Sequence, residues 1–177
     1  GWVQCRCFLC HLQMIIKNNV VAAINKQINN EFNASYAYLA LASYFSGRNL
    51  DGFATWMRLQ AQEEIEHGMK LFNYLHDRDV EVELLQIDKP KQKWASPLKA
   101  FEDVYAMEVK QSGAINDLVA LADKENEYTT QSILNWFLEE QIEEEAQSLK
   151  ILEKLRLIGD DASGLLFLDK ELGGRPQ

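Results

Sequence analysis

The residues best suited to chemistry are carboxylates standing where apolar side chains would be expected. Glu64 and His67 lie one helical turn apart, in a stretch whose other members at steps of three and four are Phe53, Met57, Gln60, Leu71 and Tyr74. The same spacing carries Glu31 among Ile24, Ile28, Ser35, Tyr38, Ala42 and Phe45, and Glu108 among Phe101, Val104, Tyr105, Ile115 and Val119. A further stretch places Glu144, with either Glu140 or Gln141, among Ile133, Phe137 and Leu152. Carboxylates facing one another in a core cannot all stay ionised without cations, because burying even one costs several kcal/mol. No lysine or arginine occupies these stripes, so two divalent or trivalent metal ions are the expected partners. Glu64 is placed to bridge them, His67 to give one nitrogen, and the other carboxylates to complete two oxygen-rich shells. Hard oxygen ligands stabilise iron in its ferric state, which favours oxidation of Fe(II).

Taken singly, each signal has a plainer explanation. An inward Glu is often a snorkelling side chain, and His67 alone reads equally as a satisfied core histidine. The run Glu139, Glu140, Glu143, Glu144, Glu145 would ordinarily be a solvated face. Tyr38 and Trp136 read either as core aromatics or as electron donors beside the metals. Agreement among separate helices, each with a carboxylate near its middle, is what favours the metal reading.

The elements that must position these groups are long helices. Apolar periodicity predicts helices over residues 18–46, 51–76, 96–124 and 128–158, and a short fifth over 163–172. Gly47 and Gly159 are expected as C-terminal stops, Asp51 and Ser96 as N-caps, and Pro97 at the first helical position. Helices of roughly 26–30 residues are about 40 Å long and suit a four-helix bundle. Short connections make the first and second helices antiparallel neighbours, and likewise the third and fourth. Residues 77–95, extended at about 3.3 Å each, can cross the whole bundle. Their alternating stretch Val80-Glu81-Val82-Glu83-Leu84 has no partner strand and reads as a surface strap.

A chain of 177 residues, 47% apolar and 25% charged, is one globular domain, with no internal repeat or low-complexity tract. Net charge −9 is the wrong sign for binding nucleic acid or an anionic membrane, and no apolar run reaches the roughly 18–20 residues of a membrane span. The three cysteines, Cys5, Cys7 and Cys10, lie in the first ten residues, so no disulfide framework is expected and a reducing, cytoplasmic setting fits. Residues 1–13 lack the features of a secretory signal and are read as an N-terminal extension or cloning remnant, with a single domain over 14–177. Cys7-Phe8-Leu9-Cys10-His11 matches the pattern of covalent haem attachment, and the same residues suit zinc or intermolecular disulfides. A five-residue match with no export segment ahead of it supports none of these.

From Met14 to Leu172 the chain resembles the bacterial-type non-haem ferritins. The resemblance is carried by Asn30-Glu31-Phe32 with Tyr38, Ala61-Gln62-Glu63-Glu64-Ile65-Glu66-His67, Glu108, Trp136-Phe137-Leu138-Glu139-Glu140-Gln141-Ile142-Glu143-Glu144 and Leu168-Asp169-Lys170-Glu171-Leu172. It implies a ferritin-like bundle with a di-iron ferroxidase centre within each subunit. By position, Glu31, Glu64 and His67 match the first iron site, and Glu64, Glu108 and Glu144 the second, with Gln141 beside it. Glu63, Glu140, Glu143 and Glu144 match a third, weaker site, and Tyr38 and Trp136 the aromatic positions beside the centre. The resemblance also implies a homo-oligomeric shell of twenty-four subunits that stores ferric mineral, with Fe(II) and dioxygen or peroxide as substrates. Bacterioferritins carry a methionine after the bridging glutamate; Ile65 stands there, so no haem is expected. Bacterioferritins and rubrerythrins also carry a second Glu-x-x-His, where this chain has Gln141-x-x-Glu144 and Glu140-x-x-Glu143. That weighs against a rubrerythrin-like peroxidase, and retention of every centre residue weighs against a non-catalytic cage subunit. DNA-binding mini-ferritins lack the fifth helix.

Overall fold

Helix formation follows the apolar stripes, and the computed structural model describes residues 16–174. Its elements are α1 (Asn18–Ser46), α2 (Asp51–Asp77), α3 (Pro97–Lys124), α4 (Tyr128–Ile158) and α5 (Ala162–Gly173), with no strand among the described residues. This is the expected all-α arrangement: a four-helix bundle with one long crossover and a short fifth helix. α1 packs along α2 and α3 along α4, α1 also touches α3, and α5 lies against the start of α2 and the end of α4. The cysteines and the expected domain start at Met14 lie outside the described residues.

The helix ends differ in part from expectation. Ser96 caps α3 as expected, its Oγ accepting the Lys99 N–H at 3.2 Å, with Pro97 in the first turn. Gly47 closes α1 but keeps φ at −66°; the chain reverses two residues later at Asn49, φ 56°. Asp79 and Asn126 take the same left-handed conformation at the other joints, since a short polar side chain tolerates it. Asp51 is not an N-cap but the first residue of α2, and the preceding Leu50 has no side-chain oxygen to offer. The cap comes from α5, where Asp169 Oδ1 accepts the Phe53 N–H at 2.9 Å. The approach is close enough that a Cβ on Gly52 would lie 1.6 Å from the Asp169 carbonyl oxygen. A side chain there would drive the two helices apart.

The crossover, residues 78–96, is extended and unpaired, as the absence of a partner strand implied. It is held by asparagines on one stripe of α1. Asn25 Oδ1 accepts Glu83 N–H at 3.2 Å, Asn29 Nδ2 donates to Gln86 O at 2.9 Å, and Asn33 Oδ1 accepts Asp88 N–H at 2.8 Å. Val80 and Val82 turn onto the core, whereas Leu84, Leu85 and Ile87 remain exposed. At the opposite end of the strap, Trp94 packs edge-on to Tyr44 with ring centres 5.1 Å apart.

The core consists of two apolar blocks. One gathers Phe45, Phe53, Met57, Phe101, Leu152 and Leu168; the other Val20, Ile24, Leu71, Leu75, Ile115 and Phe137. Fully burying such a side chain contributes roughly 1.5–3 kcal/mol. Val119 and Ile133, expected inside, are only partly buried, and Leu118 and Leu134 take the core positions. One position of register separates each pair, within the scatter of a stripe inferred from spacing alone.

Candidate metal centre

Between the apolar blocks every long helix turns polar at the same level. In α1, Gln27, Glu31 and Ser35 are buried; in α2, Gln60, Glu64 and His67; in α3, Glu108 and Gln111; in α4, Gln141, Glu144 and Ser148. Antiparallel packing brings these middle segments together, because each lies about half a helix from its ends. Gly68 lets α1 and α2 approach here, since a Cβ would sit 2.5 Å from the Phe32 ring.

Glu31, Glu64 and His67 each present a ligand atom within 4.8 Å of the others, and all three are buried. Glu64 Oε2 lies 3.8 Å from His67 Nδ1. Both Glu64 oxygens are buried and accept no hydrogen bond. The other buried carboxylates are held from outside the cluster. Gln27 Nε2 and Gln111 Nε2 donate to the two oxygens of Glu31 at 2.8 and 2.7 Å. Gln60 Nε2 donates to Glu144 Oε2 at 2.7 Å, and the Tyr38 hydroxyl donates to Glu108 Oε1. Gln141 Nε2 donates to the Glu108 carbonyl at 3.2 Å. His67 also groups with Glu140 and Glu144, its Nε2 standing 4.0 Å from Glu140 Oε1.

Burial dominates the electrostatics. It raises the Glu31 carboxyl, against the hydrogen bonds that favour its ionised form. It pushes Glu64 well above the carboxylate range, helped by the charges of Glu31, Glu108 and Glu144 and by the hydrogen bond that protonated Glu64 donates to Glu31. Burial likewise takes Glu108 to about 7, and Glu144 to about 8 with the help of Glu108. The His67 imidazole is pushed down to about 4, chiefly by burial, and so is neutral near pH 7 with a lone pair to donate. Tyr38 is held protonated by burial and by the charge of Glu108. No lysine or arginine is buried among the described residues. Lys70 lies over the Trp136 ring at 4.3 Å, and that ring packs edge-on to His67. Acids retaining protons around a neutral imidazole are what a hard cation would displace protons from, and the unpartnered Glu64 carboxylate is the group it would satisfy.

Of the residues singled out by spacing, Glu31, Glu64, His67, Glu108, Gln141, Glu144 and Tyr38 therefore converge at one level. The alternative at the fourth stripe resolves towards Gln141, which is buried, while Glu140 is half-buried. Glu63 and Glu143 stand further out: Glu63 is partly exposed and Glu143 exposed, and both act on Glu140 through charge. Gln27 and Gln111, which grip Glu31, were missed by sequence reasoning. The α3 stripe stepped from Glu108 to Ile115 and left one turn unfilled; Gln111 occupies that gap, and its polarity was the available signal.

Comparison with known proteins agrees with this geometry. The profile of the family described as "Ferritin-like domain" matches residues 21–158. The chain is 38% identical over 161 residues to a "Bacterial non-heme ferritin" of Staphylococcus aureus strain MRSA252, covering 91% of this chain and 97% of that protein. It is equally similar to a protein of the same description from Staphylococcus saprophyticus, at 38% with 91% and 96% covered. Among solved structures it resembles an open pore ferritin from the hyperthermophilic archaeon Archaeoglobus fulgidus, at 48% identity and TM-score 0.90, covering 91% of this chain and 99% of that one.

Proposed function

The chain belongs to the ferritin family, and on that premise we propose that it stores iron and oxidises Fe(II) at a di-iron centre within its own bundle. The observation that carries the ferroxidase reading is Glu64, a carboxyl group whose two buried oxygens accept no hydrogen bond, set against the acid Glu31 and a neutral His67. A lone buried carboxylate of that kind is costly unless a cation completes it. In this reading Glu31, Glu64 and His67 bind the first Fe(II), and Glu64, Glu108 and Glu144 the second, with Gln141 alongside. Each iron gives up one electron, and the pair reduces dioxygen to peroxide or peroxide to water. Carboxylates favour the ferric product through charge, and the bridge sets the spacing of the two ions. Glu140 and Glu144, with Glu63 and Glu143 at the rim, form a third, weaker station on the way out. Tyr38, bonded to Glu108, and Trp136, edge-on to His67, are the aromatic neighbours of the centre.

The same reading makes residues 14–177 one domain of a cytoplasmic homo-oligomeric shell of twenty-four subunits, without haem. No described helix is long and apolar enough to cross a membrane. Exposed Tyr36, Leu39, Leu84 and Leu85, and Leu166 and Phe167 on α5, give apolar surface for subunit contacts. The test is stopped-flow aerobic oxidation of Fe(II) by the metal-free protein, followed by ferric absorbance, beside Glu64→Ala. A fast phase saturating near two Fe(II) per subunit and absent from the variant is expected. The same fast phase in both would overturn the assignment.

A further inference from the structure

One polar chain leads from the centre to the surface between α3 and α4. Ser112 Oγ donates to Glu145 Oε1, and Gln141 Nε2 donates to Ser112 Oγ at 3.2 Å. The same Nε2 donates to the Glu108 carbonyl at 3.2 Å and lies 3.5 Å from Glu108 Oε2. Ser112, Gln141 and Glu145 line a cavity of about 340 Å³, so the outer end of this chain meets water.

The order of donors has a consequence. A serine hydroxyl has one proton, and here Glu145 takes it, so only a lone pair is left facing Gln141. The Glu108 carbonyl and carboxylate are also acceptors. Every group around one end of the Gln141 amide therefore demands N–H, and reversing the amide would set its oxygen against three oxygens. The carbonyl Oε1 is left as the end free to meet a cation.

We propose that Ser112 and Glu145 are positioning residues that present Gln141 Oε1, rather than its NH₂, to a cation held by Glu108 and Glu144. This rests on the reading of Glu108 and Glu144 as ligands of a second iron. Neither Ser112 nor Glu145 touches that iron; they act through the orientation of Gln141. Without Ser112 the amide loses one of the partners that reject the wrong end, and its dipole no longer faces the metal in one sense.

The test is calorimetric titration of the metal-free assembled protein with Co(II), and with Fe(II) under argon, so that binding is read apart from oxidation. Wild type is expected to take two tightly held cations per subunit, apart from any weaker third at Glu140 and Glu144. Ser112→Ala should weaken the second about tenfold or more, the usual effect of removing a group that orients a ligand. The first cation, on Glu31, Glu64 and His67, should bind unchanged, which also shows the bundle intact. Ser112→Thr should restore the second. In a Gln141→Glu background Ser112→Ala should change second-cation affinity less than twofold, because either end of a carboxylate accepts. Unchanged second-cation affinity in Ser112→Ala, an equal loss in the Gln141→Glu background, or weakening of both cations together would each overturn the proposal. Fewer than two cations in wild type, or two unaltered cations in Glu64→Ala, would instead sink the di-iron reading on which it rests.

Discussion

Replacing Glu64 by glutamine should stabilise the metal-free protein while destroying its response to metal, and the size of the gain follows from burial. Glu64 is 1% exposed, neither of its oxygens accepts a hydrogen bond, and its carboxyl is pushed well above the ordinary 4.5 by burial and by three neighbouring carboxylates. A group whose pKa is raised in the folded state contributes fully below the unfolded value and loses that contribution as pH climbs towards the folded one. Keeping the proton on Glu64 therefore costs more as pH climbs above 4.5, by at most about 1.4 kcal/mol per unit, until the raised folded value is reached. Glutamine resembles the protonated acid in shape and never pays this penalty. Denaturant titration of both proteins in excess chelator, at several pH values between 6 and 8, reads the difference directly; His67, which titrates in both, largely cancels. The variant should gain on wild type as pH rises, by at most about 1.4 kcal/mol per unit. A difference that does not grow with pH, or a less stable variant, would refute the claim that Glu64 is an uncompensated buried acid.

Three further outcomes follow from the same structure. In wild type without metal, stability should fall from pH 6.5 to 8 by at least the roughly 2–3 kcal/mol that Glu144 (about 8) and Glu108 (about 7) lose there, with Glu64 adding to the fall, and saturating Zn(II) should reverse the slope in thermal melts across that window. Gly52→Ala should cost about 3 kcal/mol or more, because its Cβ would overlap the Asp169 carbonyl, and limited proteolysis should then release α5 before the rest of the bundle is cut. Asn33→Ala removes the acceptor for the Asp88 N–H; it should cost about 1 kcal/mol and make the strap near residue 88 the first site of proteolytic cleavage, with metal affinity unchanged.

Much of this protein was legible from spacing alone. Steps of three and four placed Glu31, Glu64, His67 and Glu108 on the inward face of separate helices, because a carboxylate in an apolar stripe has nowhere else to point once the helix forms. The order of long helices, the short joints and the long 78–96 connection followed from lengths, which obey the rise per residue and little else. Interactions between segments distant in the chain were not legible. The α2 cap comes from Asp169, more than a hundred residues away, so Asp51 looked like the cap when it is the first helical residue. The choice between Glu140 and Gln141 turned on a rotation of one position about the α4 axis, which packing against α3 sets and periodicity leaves open. Gln27 and Gln111 reach Glu31 from two helices, and Glu145 reaches Gln141 through Ser112. A sequence ranks residues along one helix, whereas a hydrogen-bonding shell is assembled across several, and the directions in which its side chains donate exist only once those helices are packed.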